Sequence, residues 1–295
     1  MERTNAYSLL DFLDNSPCNF FATATIQRYL DDNGFQELKQ SERWNLEKGG
    51  KYYVKKNDTA IFGFVIGETP LDQSGFNMIS AHSDSPCFRI KPNPEMLADG
   101  VLKLNTEVYG GPILYTWFDR PLSLAGRVIV RNPQNPARPI TKLIDFASPV
   151  LIIPHLAIHF NRNVNAGNPL SKQKDMLPIA AIVSDSMSKN NFLIDQIKER
   201  LEIADSKDIL DFDLMLYNCQ KSQLVGFNKE FICSGRIDDL SMAHAALSAL
   251  LNSDNPATTK VMAIFDNEET GSGTKQGAAS PVLASILHRV ATCMG

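Results

Sequence analysis

The stretch Val261–Ser272, with the sequence VMAIFDNEETGS, decides the fold that we predict. Its first five residues form a short apolar run bounded by polar residues, which is typical of a strand covered on both faces in a parallel sheet. Ligands of open α/β sheets bind beyond the carboxyl ends of the strands, and Asp266, Glu268 and Glu269 follow this strand there. Adjacent glutamates repel each other unless a cation or a proton relieves the repulsion. A metal site is therefore the first hypothesis.

The composition is that of an ordinary globular protein. The 295 residues are 43% hydrophobic and 21% charged, which allows one large domain or two moderate ones. The formal net charge of -4 is small and no Lys/Arg cluster with interleaved aromatic residues occurs, so we expect no nucleic-acid partner.

Targeting signals and cysteines indicate the compartment. The five cysteines are widely spaced and form no CxxC pair, which fits a reducing environment. The N-terminus lacks the basic region and apolar core of a secretory signal, and no apolar run approaches the roughly 20 residues of a membrane helix. We therefore expect a cytoplasmic protein without a membrane partner.

The predicted elements divide the chain into an α/β domain and an inserted domain. Helical spacing near the N-terminus is followed by a hairpin and a strand, and the same pattern resumes late in the chain. From about Pro92 the chain is broken repeatedly by Pro and Gly and becomes rich in strand patterns. We predict a first domain over 1–91 together with 230–295 and an inserted domain over 92–229.

Three clusters of acids or histidine lie at predicted strand ends or helix starts. They are His82 with Asp84, Asp238 with Asp239, and Glu268 with Glu269. In His-x-Asp, alternate residues of an extended segment face the same way, so Asp84 could orient His82 as a metal ligand. The alternative for His82 is a hydrogen-bonded core histidine.

The two carboxylate pairs also have structural alternatives. On local evidence, Asp238 is better explained as a helix N-cap than as a carboxylate that bridges two metal ions. The pair Glu268 and Glu269 is either an exposed acidic turn or a metal ligand beside a general base for metal-bound water.

Short motifs occur in order through nearly the whole chain. They are AHSDSPC at 81–87, VYGG at 108–111, TWFDR at 116–120, LSLAGR at 122–127, IPHLAIH at 153–159 and FDNEE at 265–269. Together they resemble the aspartyl aminopeptidase family of di-zinc metallopeptidases. The resemblance implies an α/β fold with a zinc-peptidase-like mixed sheet flanked by helices and an inserted β-rich dimerisation domain.

The resemblance also implies roles for individual residues. His82, Asp238 and Glu269 match zinc ligands, and Asp238 matches the carboxylate shared by two zinc ions. Glu268 matches the catalytic base, and Asp84 matches the acid behind the zinc-binding histidine.

His159 matches a histidine that a neighbouring subunit inserts into the active site to hold the substrate or the tetrahedral intermediate. On local evidence alone, a histidine beside Leu156, Ile158 and Phe160 is more often structural. Only the resemblance gives His159 a catalytic role.

The chain departs from the family pattern in its ligand set. Asp239 stands where an Asn is usual, and the chain stops before a further Asp ligand and a final His ligand of the family. His82, Asp238 and Glu269 alone cannot serve two zinc ions, because a catalytic zinc usually has about three protein ligands. We therefore expect a truncated chain whose catalytic domain is incomplete.

Together with the predicted metal site, the resemblance implies a zinc-dependent aminopeptidase that releases N-terminal Asp or Glu from peptides. The resemblance implies two zinc ions per site, although manganese or cobalt would also suit these ligands. It further implies a large homo-oligomer that pairs through the inserted domain. Two alternatives stay open: a catalytically silent truncated subunit or assembly module, and an aminopeptidase that prefers neutral residues.

Overall fold

The computed structural model describes almost the entire chain, namely residues 2–183, 190–254 and 256–295. Its backbone divides into two compact units. The first unit combines Met1–Ser85 with Lys221–Gly295, and the second is Pro86–Gln220.

The elements of both units, in chain order, are as follows. In the described ranges the helices are α1 (Glu2–Asp14), α2 (Asn19–Asp32), α3 (Leu71–Ser74), α4 (Phe192–Arg200), α5 (Ile237–Asn252) and α6 (Val282–Met294). The strands there are β1 (Gln36–Glu37), β2 (Lys51–Lys56), β3 (Ala60–Val65), β4 (Phe76–His82), β5 (Cys87–Ala98), β6 (Val101–Tyr109), β7 (Leu122–Val130), β8 (Ile140–Asp145), β9 (Ile179–Ile182), β10 (Ile209–Asn218), β11 (Gln223–Val225), β12 (Phe231–Cys233) and β13 (Thr259–Phe265). Across these ranges, no helix is both long and apolar enough to cross a membrane.

The first unit is built on a mixed sheet with the strand order β1-β2-β3-β13-β4. Strand β13 pairs parallel with β4 but antiparallel with β3. The prediction of a parallel sheet around β13 is therefore wrong for its pairing with β3. Strands β2 and β3 form a hairpin with a tight turn at Asn57 and Asp58, both with positive φ, so β3 runs opposite to β2. The mixed sheet implied by the resemblance is confirmed.

Strand β13 is covered on both faces, as its continuous apolar run predicted. Successive side chains of a strand point to opposite faces. Met262 and Ile264 pack with buried residues of α1, α2 and α5, whereas Val261, Ala263 and Phe265 pack with α6. The helices on both faces bury this strand and hold the position of its carboxyl end.

The second unit is built on an antiparallel sheet with the order β8-β7-β10-β5-β6-β9. One face carries an apolar core into which Leu193 and Ile197 of α4 pack. A β-rich segment was predicted here from the strand patterns.

The two unit borders lie earlier in the chain than the predicted domain borders. The border predicted after residue 91 falls inside β5, because Pro92 and Pro94 coincide with a register irregularity that lets the strand continue past them. The border predicted after residue 229 falls between β11 and β12, which form a small hairpin within the first unit.

Candidate metal centre

Strand pairing in the first unit brings distant parts of the chain to one edge of the sheet. Because β4 and β13 run parallel, their carboxyl ends meet: Phe265 lies opposite His82 in the register. The Ser83 backbone N–H donates to the Phe265 carbonyl oxygen over 2.9 Å. The residues that follow both strands are therefore neighbours in space.

His82 is buried at this edge and has acids on both sides of its ring. Its Nδ1 lies 3.3 Å from Oδ1 of Asp84 and 3.1 Å from the backbone oxygen of the same residue. Its Nε2 faces Oδ1 of Asp238 at 3.5 Å, Oε2 of Glu268 at 3.6 Å and Oδ2 of Asp239 at 3.8 Å. Asp84 thus fixes one ring nitrogen, and the other faces a group of carboxylates.

Asp84 also holds the turn that carries Glu268 and Glu269, which we call the acidic turn. Its carboxylate is only 2% exposed and accepts the backbone N–H of Glu268 on Oδ1 and that of Glu269 on Oδ2, each over 3.2 Å. One carboxylate therefore positions both the histidine and the glutamate pair. No sequence pattern indicated this link, because it depends on the register between β4 and β13.

The charges at the site shift several pKa values. Burial lowers the pKa of His82, but the charges of Asp84, Asp239 and Glu268 outweigh burial and raise it to about 9. Burial raises the pKa of Glu269, and the charge of Asp84 adds to this. Burial likewise raises the pKa of Asp239. The carboxylates repel one another, and a bound cation would relieve this repulsion.

Asp238 does not cap a helix. The residue that precedes α5 is Arg236, and the backbone angles at Asp238 and Asp239 are not helical. The peptide bond between the two aspartates is cis, and the Asp238 side chain is 86% exposed. Because no described backbone N–H of α5 donates to the Asp238 carboxylate, the N-cap interpretation of this residue is wrong.

The glutamate pair lies in a short 3-10 turn at Glu268–Thr270, directly after Asn267 in the left-handed conformation. The Glu268 side chain is 57% exposed, and Glu269 is half-buried. Behind the turn, the buried Asp266 accepts hydrogen bonds from Asn19 of α2 and from Gln276. Neither Asn19 nor Gln276 could be predicted from the sequence, since neither residue type stands out locally.

The donors at this edge fit a divalent metal ion. Two groups among the described residues, His82 with Asp238 and Asp239 and His82 with Glu268 and Glu269, have ligand atoms within 4.8 Å of one another. Around a tetrahedral zinc with bonds of about 2.0–2.1 Å, ligand atoms lie about 3.4 Å apart. The distance of 3.5 Å from His82 Nε2 to Asp238 comes close to that separation, and Glu268 lies 3.6 Å from the same nitrogen. Imidazole and carboxylate ligands are also the chemistry that zinc accepts.

His159 belongs to the second unit, where its side chain is exposed in an irregular segment. Exposed apolar residues surround it in the sequence, namely Leu156, Ile158 and Phe160. The structure does not identify a partner for this segment, so the role implied for His159 stays a prediction.

Comparison with known proteins identifies the family. Residues 12–295 match the family described as aminopeptidase I zinc metalloproteases, or M18. The chain belongs to the M18 family. This confirms the resemblance to aspartyl aminopeptidases drawn from the ordered motifs.

Relatives of this M18 chain are longer than it is. A probable M18 family aminopeptidase 2 of Clostridium novyi is 51% identical over 286 residues, which are 97% of this chain and 66% of the relative. The chain thus spans just under two thirds of that relative's length. The truncation expected from the ligand count remains an expectation.

Solved structures share the fold. A chain in the cryo-EM structure of the Ape4 and Nbr1 complex is 33% identical with a TM-score of 0.92, and the match covers 99% of this chain and 59% of that one. Chaetomium thermophilum mApe1 is 32% identical with a TM-score of 0.88, and the match covers 97% of this M18 chain and 67% of that one. The α/β fold predicted from the sequence is therefore confirmed.

Proposed function

We propose that this M18 chain is part of a cytoplasmic, zinc-dependent aminopeptidase that releases an N-terminal Asp or Glu from peptides. The observation that carries the proposal is the convergence of His82, Asp238, Glu268 and Glu269 at the carboxyl ends of β4 and β13. Membership in a family of zinc metalloproteases supports it.

We propose His82, Asp238 and Glu269 as the residues that hold zinc, with Asp238 shared between two ions. When bound, zinc supplies a Lewis acid for the scissile carbonyl and lowers the pKa of water towards neutrality. Asp84 keeps the His82 ring in place through Nδ1, so that Nε2 stays directed at the metal position.

Glu268 is proposed as the general base. It takes the proton of the attacking water and passes it to the leaving amine, a role that contributes about 10²–10⁴-fold to rate. Its exposed side chain can reach a substrate, whereas Glu269 is half-buried beside Asp84. Two carboxylates in different environments can take different roles in this way.

His159 is proposed to act in a neighbouring subunit of a homo-oligomer that pairs through the second unit. The exposed apolar side chains around it support this, because Phe160 is 81% and Leu156 62% exposed, and burial of such side chains favours association. For His159→Phe we expect lost turnover with unchanged zinc content. Loss of zinc instead would contradict the role, and light scattering of the purified chain would measure the assembly.

The test of the proposed function combines metal content with a substrate panel. The purified chain is equilibrated with zinc, dialysed and analysed for metal, and then assayed on peptides that begin with Asp, Glu or Leu. If further residues supply the ligands that His82, Asp238 and Glu269 alone cannot, we expect two zinc ions per chain and turnover of the acidic peptides, reduced about 10²–10⁴-fold by Glu268→Gln with zinc retained. Glu107→Gln, at an exposed position in the second unit, is the matched control.

Each other result has a defined meaning. Undiminished turnover by Glu268→Gln would remove Glu268 from the base role. A chain without zinc and without turnover would favour the catalytically silent subunit. Equal or faster cleavage of the Leu peptide would favour the neutral preference over the acidic one.

A further inference from the structure

We propose that Asp266 is a positioning residue that aims the turn carrying Glu268 and Glu269. The proposal rests on the roles proposed above for these two glutamates. It gives a function to a buried acid that neither binds the metal nor takes a proton in the mechanism.

Asp266 lies at the end of β13 and is 2% exposed. Its Oδ1 accepts Asn19 Nδ2 over 3.0 Å and the backbone N–H of Asn267 over 2.8 Å. Its Oδ2 accepts Gln276 Nε2 over 3.4 Å. Amide donors from α2, from the turn itself and from the far side of the loop thus converge on one buried carboxylate.

The residue next to Asp266 sets the direction of the chain. Asn267 has a φ of 62°, a left-handed conformation that is unfavourable for residues other than glycine, although less so for Asn. Its side-chain oxygen accepts Thr274 Oγ1 over 2.7 Å and Gln276 Nε2 over 3.0 Å. The hydrogen bonds of Asp266 and Asn267 therefore join both ends of the loop 267–276 and offset the cost of this conformation.

The acidic turn lies between two buried carboxylates. Asp84 accepts the backbone N–H groups of Glu268 and Glu269, while Asp266 accepts that of the preceding residue. Three consecutive amides are thus bound by two acids that come from different strands. Because a ligand misplaced by about 1 Å is costly for a site, we infer that Asp266 serves the placement of the glutamates.

A carboxylate is better suited to this position than an amide. An ionised Asp accepts hydrogen bonds on both oxygens, whereas Asn accepts on one and donates from the other atom. In Asp266→Asn the new NH₂ group replaces either Oδ1, which accepts from Asn19 Nδ2 and the Asn267 amide, or Oδ2, which accepts from Gln276 Nε2. At least one of these buried contacts is then lost.

The test compares Asp266→Asn with wild type in the full chain. Zinc affinity is measured by competition with a chelator, and the exchange rates of the Glu268 and Glu269 amides are measured by NMR in the metal-free protein. We expect zinc affinity to fall about 10–100-fold, as is typical for residues that orient ligands, and exchange of both amides to rise at least about tenfold. Asp213→Asn, which removes the partner of Arg89 in the second unit, should change neither quantity.

The outcomes separate positioning from a merely structural role. Faster exchange with unchanged zinc affinity would make Asp266 a structural residue and overturn the proposal, as would no change in either quantity. If the wild-type chain binds no zinc, the proposed function fails. In that case the positioning role fails with it, because faster exchange alone shows only a structural role. A wild-type chain that binds zinc, with zinc affinity unchanged in Asp266→Asn, would overturn the positioning role alone.

A second variant keeps the test decisive if Asp266→Asn does not fold. Gln276→Met keeps the length of a buried side chain but removes the hydrogen bonds to Asp266 and Asn267. We expect a several-fold loss of zinc affinity together with faster exchange at Glu268 and Glu269. Retention of wild-type values in this folded variant would overturn the proposal.

Discussion

The surroundings of His82 and of His244, both in the first unit, differ in charge more than in burial. His244 lies on α5, with Nε2 3.0 Å from Ser8 Oγ and its ring 5.4 Å from that of Phe12. Burial lowers the pKa of both histidines, but only His82 has carboxylate neighbours, which raise its pKa to about 9. Burial alone therefore does not distinguish the two histidines; the charge around His82 does.

The largest expected effect of this difference is the pH dependence of zinc binding. Below about pH 9 the His82 ring is protonated in the metal-free protein, and a metal ion binds only the neutral imidazole. Binding must release this proton, so zinc affinity should rise about tenfold per pH unit from pH 6 to pH 8. Chelator competition at several pH values measures the slope.

His244→Gln is the matched control for this prediction. Burial lowers the pKa of His244, and this residue lies outside the ligand groups found among the described residues. The slope should therefore be the same in this variant as in wild type. A zinc affinity that does not change with pH would contradict the protonated state of His82.

The second largest expected effect is the loss of zinc affinity when Asp84 is replaced. For Asp84→Asn we expect zinc affinity to fall about 10–100-fold, because the variant loses the charge at His82 Nδ1 and an acceptor for the glutamate amides. In the metal-free variant the pKa of His82 should fall below about 9 and approach the behaviour of His244. NMR titration of the histidine rings measures this, and a pKa that stays near 9 would show that the other acids suffice.

The smallest expected effect is the contribution of His244 to the pH dependence of the free energy of unfolding. Since the folded chain holds this histidine at a pKa below its ordinary value, the unfolded chain binds more protons as the pH falls through about 6.5. The contribution of His244 should therefore lower the free energy of unfolding from pH 7 to pH 5, whereas the raised pKa of His82 acts in the opposite direction in both proteins. Relative to wild type, His244→Gln should lose the His244 contribution, so its free energy of unfolding should be less favoured by high pH. Urea unfolding at both pH values measures the two slopes, and equal slopes would exclude His244 as the source.

The sequence was sufficient to predict the structural features that depend on neighbouring residues. The apolar run before Asp266 predicted a strand covered on both faces, and the turn at Asn57 and Asp58 predicted the hairpin. The spacing of His82 and Asp84 predicted that both would lie on the same side of an extended segment. Each of these features depends on residues that are close in sequence.

The remaining features depend on contacts between distant parts of the chain. That Asp84 would accept the amides of Glu268 and Glu269 follows only from the register of β4 against β13. That Asn19 would lie behind the acidic turn follows only from the packing of α2. Pro92 and Pro94 misled the border prediction because the strand irregularity that accommodates them is not visible locally.

The strand order of the first sheet has a consequence for synthesis of the chain. Strand β13 lies between β3 and β4, yet the whole second unit is translated before it. Until β13 emerges from the ribosome, the strand edges of β3 and β4 that it will pair with stay open, and open edges are templates for aggregation. The strand that precedes the acidic turn is therefore also the one that closes the nascent sheet, so its late synthesis sets how long these edges stay unpaired.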